Sequence, residues 1–110
     1  MFDKTTLFGD VAELCLLYIA NYGSGHARGI ASTFGVSPNA AQRQLFKFEQ
    51  AGILVARMIG STKSYEFNPR LSYRKELQAL LEKILMEISA EDTEKYFRER
   101  RRPRRTGKAL

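Results

Sequence analysis

GVSPNAAQRQLFKFEQAGIL, residues 35–54, is the stretch that decides the fold. Gly35 can take the left-handed conformation that closes a preceding helix, and Val36 anchors the turn. Ser37 is a good cap for a new helix, and Pro38 suits the first helical position, where its missing N–H costs nothing. Ala41, Leu45 and Phe48 then recur by four and three, the inward stripe of a helix that runs to about Ala51, where Gly52 stops it. A structural helix needs only that stripe. Asn39, Gln42, Arg43 and Lys47 lie off it, and a face of amides and cations asks for a partner. Gln44 falls near the edge of the stripe.

Upstream, Val11, Leu14, Cys15, Tyr18, Ile19 and Tyr22 predict an amphipathic helix over Asp10 to Tyr22. Gly23-Ser24-Gly25 turns the chain, and a shorter helix is expected from about His26 to Phe34, with Ala27, Ile30, Ala31 and Phe34 inward. Downstream the period changes. Leu54–Ile59 and Ser64–Phe67 read as strands joined by the polar loop Gly60-Ser61-Thr62-Lys63. Asn68-Pro69 ends the second strand, and a long helix is expected from near Leu71, with Tyr73, Leu77, Leu80, Leu81, Ile84, Leu85 and Ile88 on a broad apolar face. After Ser89, residues 90–97 predict a short helix with an acidic start. The fold class is therefore mainly α with a small β-hairpin, the order of a winged helix-turn-helix with a long C-terminal helix. Residues 1–70 are expected to form the winged domain, 71–97 a helical region suited to dimerisation, and 98–110 an exposed basic arm.

Composition narrows the function. A chain of 110 residues supports one domain plus an arm, and 44% hydrophobic content argues against wholesale disorder. The longest apolar run, Leu14 to Ala20, is far short of a membrane span, and Asp3, Asp10 and Glu13 spoil a secretory signal, so a cytoplasmic protein with no membrane partner is expected. One cysteine and one histidine make neither a disulfide nor a metal site, and no cofactor is expected. Cys15 reads as a small buried hydrophobe and His26 as helix-start chemistry. The net charge of +6 is unevenly spread: residues 1–27 carry −2, 28–75 carry +6, 76–94 carry −5 and 95–110 carry +7. Two basic regions flank an acidic one, which points to a polyanionic partner. There is no catalytic Ser/His/Asp set, carboxylate pair or phosphate loop, and the glycines at 23, 25 and 29 lack the spacing of a dinucleotide fingerprint. An enzyme is not expected.

The stretch HARGIASTFGVSPNAAQRQLFKFEQAGILVARMIGSTKSYEFNP, residues 26–69, resembles bacterial winged helix-turn-helix transcriptional regulators of the ArsR/MarR type, and among them small modules found with nucleotidyltransferase domains. The Gly35-Val36-Ser37 turn, the run from Leu45 through Phe48-Glu49 to Ala51-Gly52-Ile53-Leu54, and Tyr65-x-x-Asn68-Pro69 carry the resemblance, which covers residues 7 to about 70. It implies that the third helix enters the major groove of double-stranded DNA, its N-terminal half nearest the bases. Asn39 and Gln42 would then read adenine, Arg43 guanine, and Lys47 and Ser37 would hold phosphate. Arg28 near the second helix start would be a further phosphate contact, and Arg57, Ser61, Thr62 and Lys63 of the wing would clasp backbone phosphate or reach into the minor groove. Outside that resemblance, the charge of the arm predicts that Arg100, Arg101, Arg102, Arg104 and Arg105 lie along phosphates or in a minor groove, with Pro103 and Gly107 interrupting any helix there.

Two features depart from the pattern. Phe46 stands where the resembling modules usually carry a polar or basic residue, and is expected to pack under the wing or against a partner rather than stack on sugar or base. The cysteine-rich ligand sets of ArsR-type metal sensors are missing. The leading expectation is a sequence-specific DNA-binding repressor acting as a homodimer. The alternatives are a protein-interaction adaptor of a two-protein system, or RNA binding through the basic arm.

Overall fold

A computed structural model describes residues 10–97. Five helices and one hairpin run in the order α1 (Asp10–Tyr22), α2 (Ala27–Phe34), α3 (Pro38–Gln50), β1 (Leu54–Ile59), β2 (Thr62–Phe67), α4 (Arg74–Met86) and α5 (Ala90–Tyr96). The expectation of an exposed arm over 98–110 lies outside the described residues.

Helix α1 is buried more widely than an amphipathic stripe: Leu16, Leu17 and Ala20 are covered as well as Leu14, Cys15 and Ile19. The reason is its central place, with α2, α3 and β2 packed against it and α4 as well. Cys15 is fully buried, its Sγ 3.9 Å from the Ala41 carbonyl oxygen. Burial pushes its thiol from the usual 9.0 up to about 12. The folded chain therefore keeps a proton that the unfolded chain releases above about pH 9. Stability that is complete below that point is lost as pH rises toward the folded value, by about 2 kcal/mol at about pH 10.5. Urea titrations across this range are expected to show that loss, and Cys15→Ala is expected to lack it.

The hairpin is antiparallel, with Leu54 opposite Phe67, Ala56 opposite Tyr65 and Ile59 opposite Thr62. Its loop is the two residues Gly60 and Ser61, not the four expected. The ladder continues through Thr62 and Lys63, and Gly60 takes the positive φ of 64° that such a tight loop favours. Gly25 adds a third, one-residue strand to β2: its N–H donates to the Tyr65 carbonyl at 3.0 Å and its carbonyl accepts the Tyr65 N–H at 2.8 Å. A Cβ at Gly25 would stand 2.8 Å from the Tyr18 ring, so only glycine fits there.

Helix α4 begins at Arg74, later than the expected start near Leu71. Asn68 is the cause, because its side chain donates to the Gly52 carbonyl at 2.9 Å and accepts the Arg70 N–H at 3.0 Å. This pins the end of β2 to the end of α3 and holds residues 69–73 in turns. The broad apolar face splits. Leu81, Leu85 and Ile88 are buried in the core, whereas Tyr73 and Leu80 are exposed. Helix α5 starts at Ser89, whose Oγ accepts the Asp92 N–H at 3.1 Å, and ends with Tyr96 and Phe97 buried. Leu81, Leu85, Ile88, Tyr96 and Phe97 share one hydrophobic cluster with α1, α2, α3 and the sheet, so residues 71–97 have no core of their own.

Candidate nucleic-acid interface

Helices α2 and α3 are joined as the sequence requires. His26 caps α2 with its Nδ1 accepting the Gly29 N–H at 3.0 Å, the helix-start role expected of it. Gly35 closes the helix at φ 70°, its N–H donating to the Ala31 carbonyl at 2.8 Å. Ser37 Oγ then accepts the Ala40 N–H at 3.0 Å, with Pro38 in the first turn of α3. Ser37 thus serves the cap, and its hydroxyl proton remains for an external acceptor.

Ala41 and Leu45 are fully buried and Phe48 is partly so. That orientation turns Asn39, Arg43 and Lys47, each four residues from the next, into one exposed stripe. Among the described residues, none of these three side chains, nor that of Arg28, has a hydrogen bond or ion pair. Gln42 is exposed too, but it is held: its Nε2 donates to the Tyr65 hydroxyl at 3.0 Å. Arg28, Asn39, Gln42, Ser61, Thr62 and Lys63 line a single groove of about 440 Å³ between the starts of α2 and α3 and the end of the wing. Six of the expected contact residues therefore meet in one place.

Two wing cations have partners. Lys63 Nζ lies 3.4 Å from Glu49 Oε1 and 5.6 Å from the Tyr65 ring centre. Tyr65, and then Glu49, hold its ammonium above the usual range, so it is charged throughout the neutral region. Arg57 is 3.2 Å from both carboxylate oxygens of Glu66, on the sheet face opposite Tyr65 and Lys63. The exposed Arg57–Glu66 pair contributes only about 0–1 kcal/mol. Phe46 is 50% exposed, so the chain by itself covers only half of it. It lies about 100° from Leu45 around the helix, off the stripe that fills the core.

Sequence reasoning missed Tyr65 and Glu49 as partners of the candidate contact residues. It also missed a second groove of about 790 Å³, lined by Tyr18, Tyr22, His26, Ile59, Thr62, Ser64, Lys95 and Tyr96 among others. This groove shares His26 and Thr62 with the first. Among the described residues no cluster of three or more His, Cys, Asp or Glu side chains is placed to hold a metal, and no helix is long and apolar enough to cross a membrane.

No protein-family model matches the chain, and no curated protein matches it. Among solved structures it is similar to the crystal structure of the AntR antimony-specific transcriptional repressor, with a TM-score of 0.50 and 22% identity over 76% of this chain and 69% of that one. At that identity the likeness carries the fold and nothing finer. Helix, capped turn, second helix, hairpin wing and flanking helices agree with it: the chain has the winged helix-turn-helix fold.

Proposed function

We propose that the chain binds double-stranded DNA sequence-specifically and represses transcription, with α3 in the major groove and the wing on the backbone. The observation that carries this reading is the exposed, unpaired stripe of Asn39, Arg43 and Lys47 beside the groove shared by α2, α3 and the wing. A solvated helix face does not require amides and a guanidinium at its N-terminal half. Major-groove readout does, because arginine can bond guanine bidentately and asparagine or glutamine can bond adenine. The repressor fold of AntR supports the same reading.

We propose further that the functional unit is a homodimer. From the cap residue of α4 onward, Tyr73, Leu77, Leu80 and Ile84 recur by four, three and four. Tyr73 is 49% and Leu80 41% exposed, flanked by Leu77 and Ile84, which are partly buried against the core. That spacing makes a seam for a second copy of the helix. Two copies would set their recognition helices about 34–36 Å apart, or a multiple of it, on a pseudo-palindromic site. The exposed Met58 and Ile59 of the wing favour the adaptor reading instead, in which the wing docks on a protein.

Selection of duplex fragments by the full chain, with sequencing and footprinting of the selected pool, tests these readings together. A two-fold symmetric site is expected, and Arg43→Ala is expected to lose about 1–3 kcal/mol on it and relax preference at one position. Enrichment of no duplex favours the adaptor. Equal losses on selected and scrambled duplexes would remove Arg43 from base reading, and a single half-site footprint would remove the dimer.

A further inference from the structure

Gln42 differs from Arg43 in one respect that bears on how a base would be read. Among the described residues Arg43 has no partner, whereas Gln42 Nε2 donates to Tyr65 Oη at 3.0 Å. Tyr65 is itself immobilised. It is fully buried, paired with Ala56 across the hairpin and bonded through both backbone groups to Gly25. Its hydroxyl is therefore a fixed point on the sheet from which one side chain of the recognition helix is held.

We propose that Tyr65 is a positioning residue for sequence readout, holding the amide of Gln42 in one place at the mouth of the groove. The proposal rests on the DNA-binding reading above. A glutamine amide has two N–H donors and one acceptor oxygen. With one N–H given to Tyr65, Oε1 and the second N–H remain, and these are the two groups that bond adenine N6 and N7. Holding the amide in advance removes much of the rotamer freedom that binding would otherwise take away.

A second contact fixes the register of the hold. Glu49 lies two turns beyond Gln42 on the same side of α3, and its carboxylate meets Lys63 of the same strand at 3.4 Å. Sheet and helix thus touch through polar pairs at two heights, which holds the helix in register with the wing and keeps Tyr65 within reach of Gln42. Phe46 lies between these two contacts on α3 and contributes no polar group. The outcome is a recognition helix with one preset reader, Gln42, beside one free reader, Arg43.

Tyr65→Phe removes only the hydroxyl, and two measurements on the full chain test the proposal. The first needs no DNA. The side-chain amide resonances of Gln42 are expected to differ from those of a solvated glutamine and to move toward them in Tyr65→Phe. The second compares base preference by duplex selection. Preference for adenine at one position is expected to fall roughly tenfold, with affinity for scrambled duplex and its salt dependence unchanged. Gln42→Ala is expected to lose the same preference, and the double variant no more than Gln42→Ala alone. Unmoved resonances with intact duplex preference would overturn this proposal and leave DNA binding standing. Equal loss on every duplex would also overturn it, leaving Tyr65 as a sheet-holding residue. A wild-type chain that prefers no duplex sequence would overturn the DNA-binding reading along with it.

Discussion

Replacing Phe97 by alanine is expected to destabilise the chain by about 3–5 kcal/mol, the cost of emptying a fully used aromatic site. Phe97 is 1% exposed, with its ring centre 5.7 Å from that of Phe34 and 6.4 Å from that of Tyr96. Tyr96 stacks on Phe34 at 5.5 Å, and the two final carbonyls of the segment accept side-chain donors from α1. Asn21 Nδ2 donates to the Phe97 oxygen at 3.3 Å, and the Tyr22 hydroxyl donates to the Tyr96 oxygen at 2.7 Å. The short α5, only seven residues, could not hold itself. It is held because its last two residues complete the core between α1 and α2. Urea unfolding measures the effect. A loss under about 1 kcal/mol would mean that α5 is an appendage to the core rather than part of it. Truncation after Phe97 supplies the contrast, and is expected to leave stability within about 0.5 kcal/mol of the full chain.

Most of the fold is legible in the sequence because its boundaries are written in local chemistry. Ser37-Pro38 opens α3, Gly35 closes α2, and Leu54 starts β1 where helical period gives way to alternation. The boundaries that the sequence misplaces depend on contacts made at a distance. Thr62 and Lys63 look like loop residues until Ile59 and Met58 pair with them. The late start of α4 arises from Asn68 reaching back to Gly52, which no local pattern reveals. The wide burial of α1 likewise depends on how many elements surround it, whereas periodicity finds only a stripe.

The candidate site divides in the same way. Helical geometry alone turns Asn39, Arg43 and Lys47 outward once Ala41 and Leu45 are inward, so that stripe can be named from sequence. The hold of Tyr65 on Gln42 joins residues 23 positions apart, and Glu49 meets Lys63 across the same gap between helix and wing. These are tertiary facts. The one hint in the sequence is alternation, which puts Lys63, Tyr65 and Phe67 on a common face of β2.

Deleting residues 98–110 is expected to reduce the salt dependence of DNA binding more than any single substitution. The segment holds Arg98, Arg100, Arg101, Arg102, Arg104, Arg105 and Lys108 against Glu99 alone, with no apolar side chain large enough to enter a core before Leu110. It begins directly after Phe97, whose position is fixed against α1 and α2. Neighbouring Lys95 and Tyr96 line the groove that shares His26 and Thr62 with the candidate interface. The arm is rooted on the side of the chain where the candidate interface lies. Phosphate contacts release counterions, with a slope of about 0.9 log unit per contact. If about five of the seven cations reach phosphates, the full chain should gain roughly 500-fold more affinity than the truncated chain when salt falls from about 200 to about 50 mM. Because backbone contacts carry no base information, the loss should be similar on selected and scrambled duplexes. Fluorescence titrations at several salt concentrations decide the matter. An unchanged slope would make the segment a solubilising tail. A loss confined to single-stranded RNA would move the arm to a different polyanion while leaving α3 its duplex. Comparison with Phe97→Ala separates anchoring from charge: that variant keeps every arginine, so any affinity it loses beyond its unfolded fraction measures how much the arm depends on being held at its root.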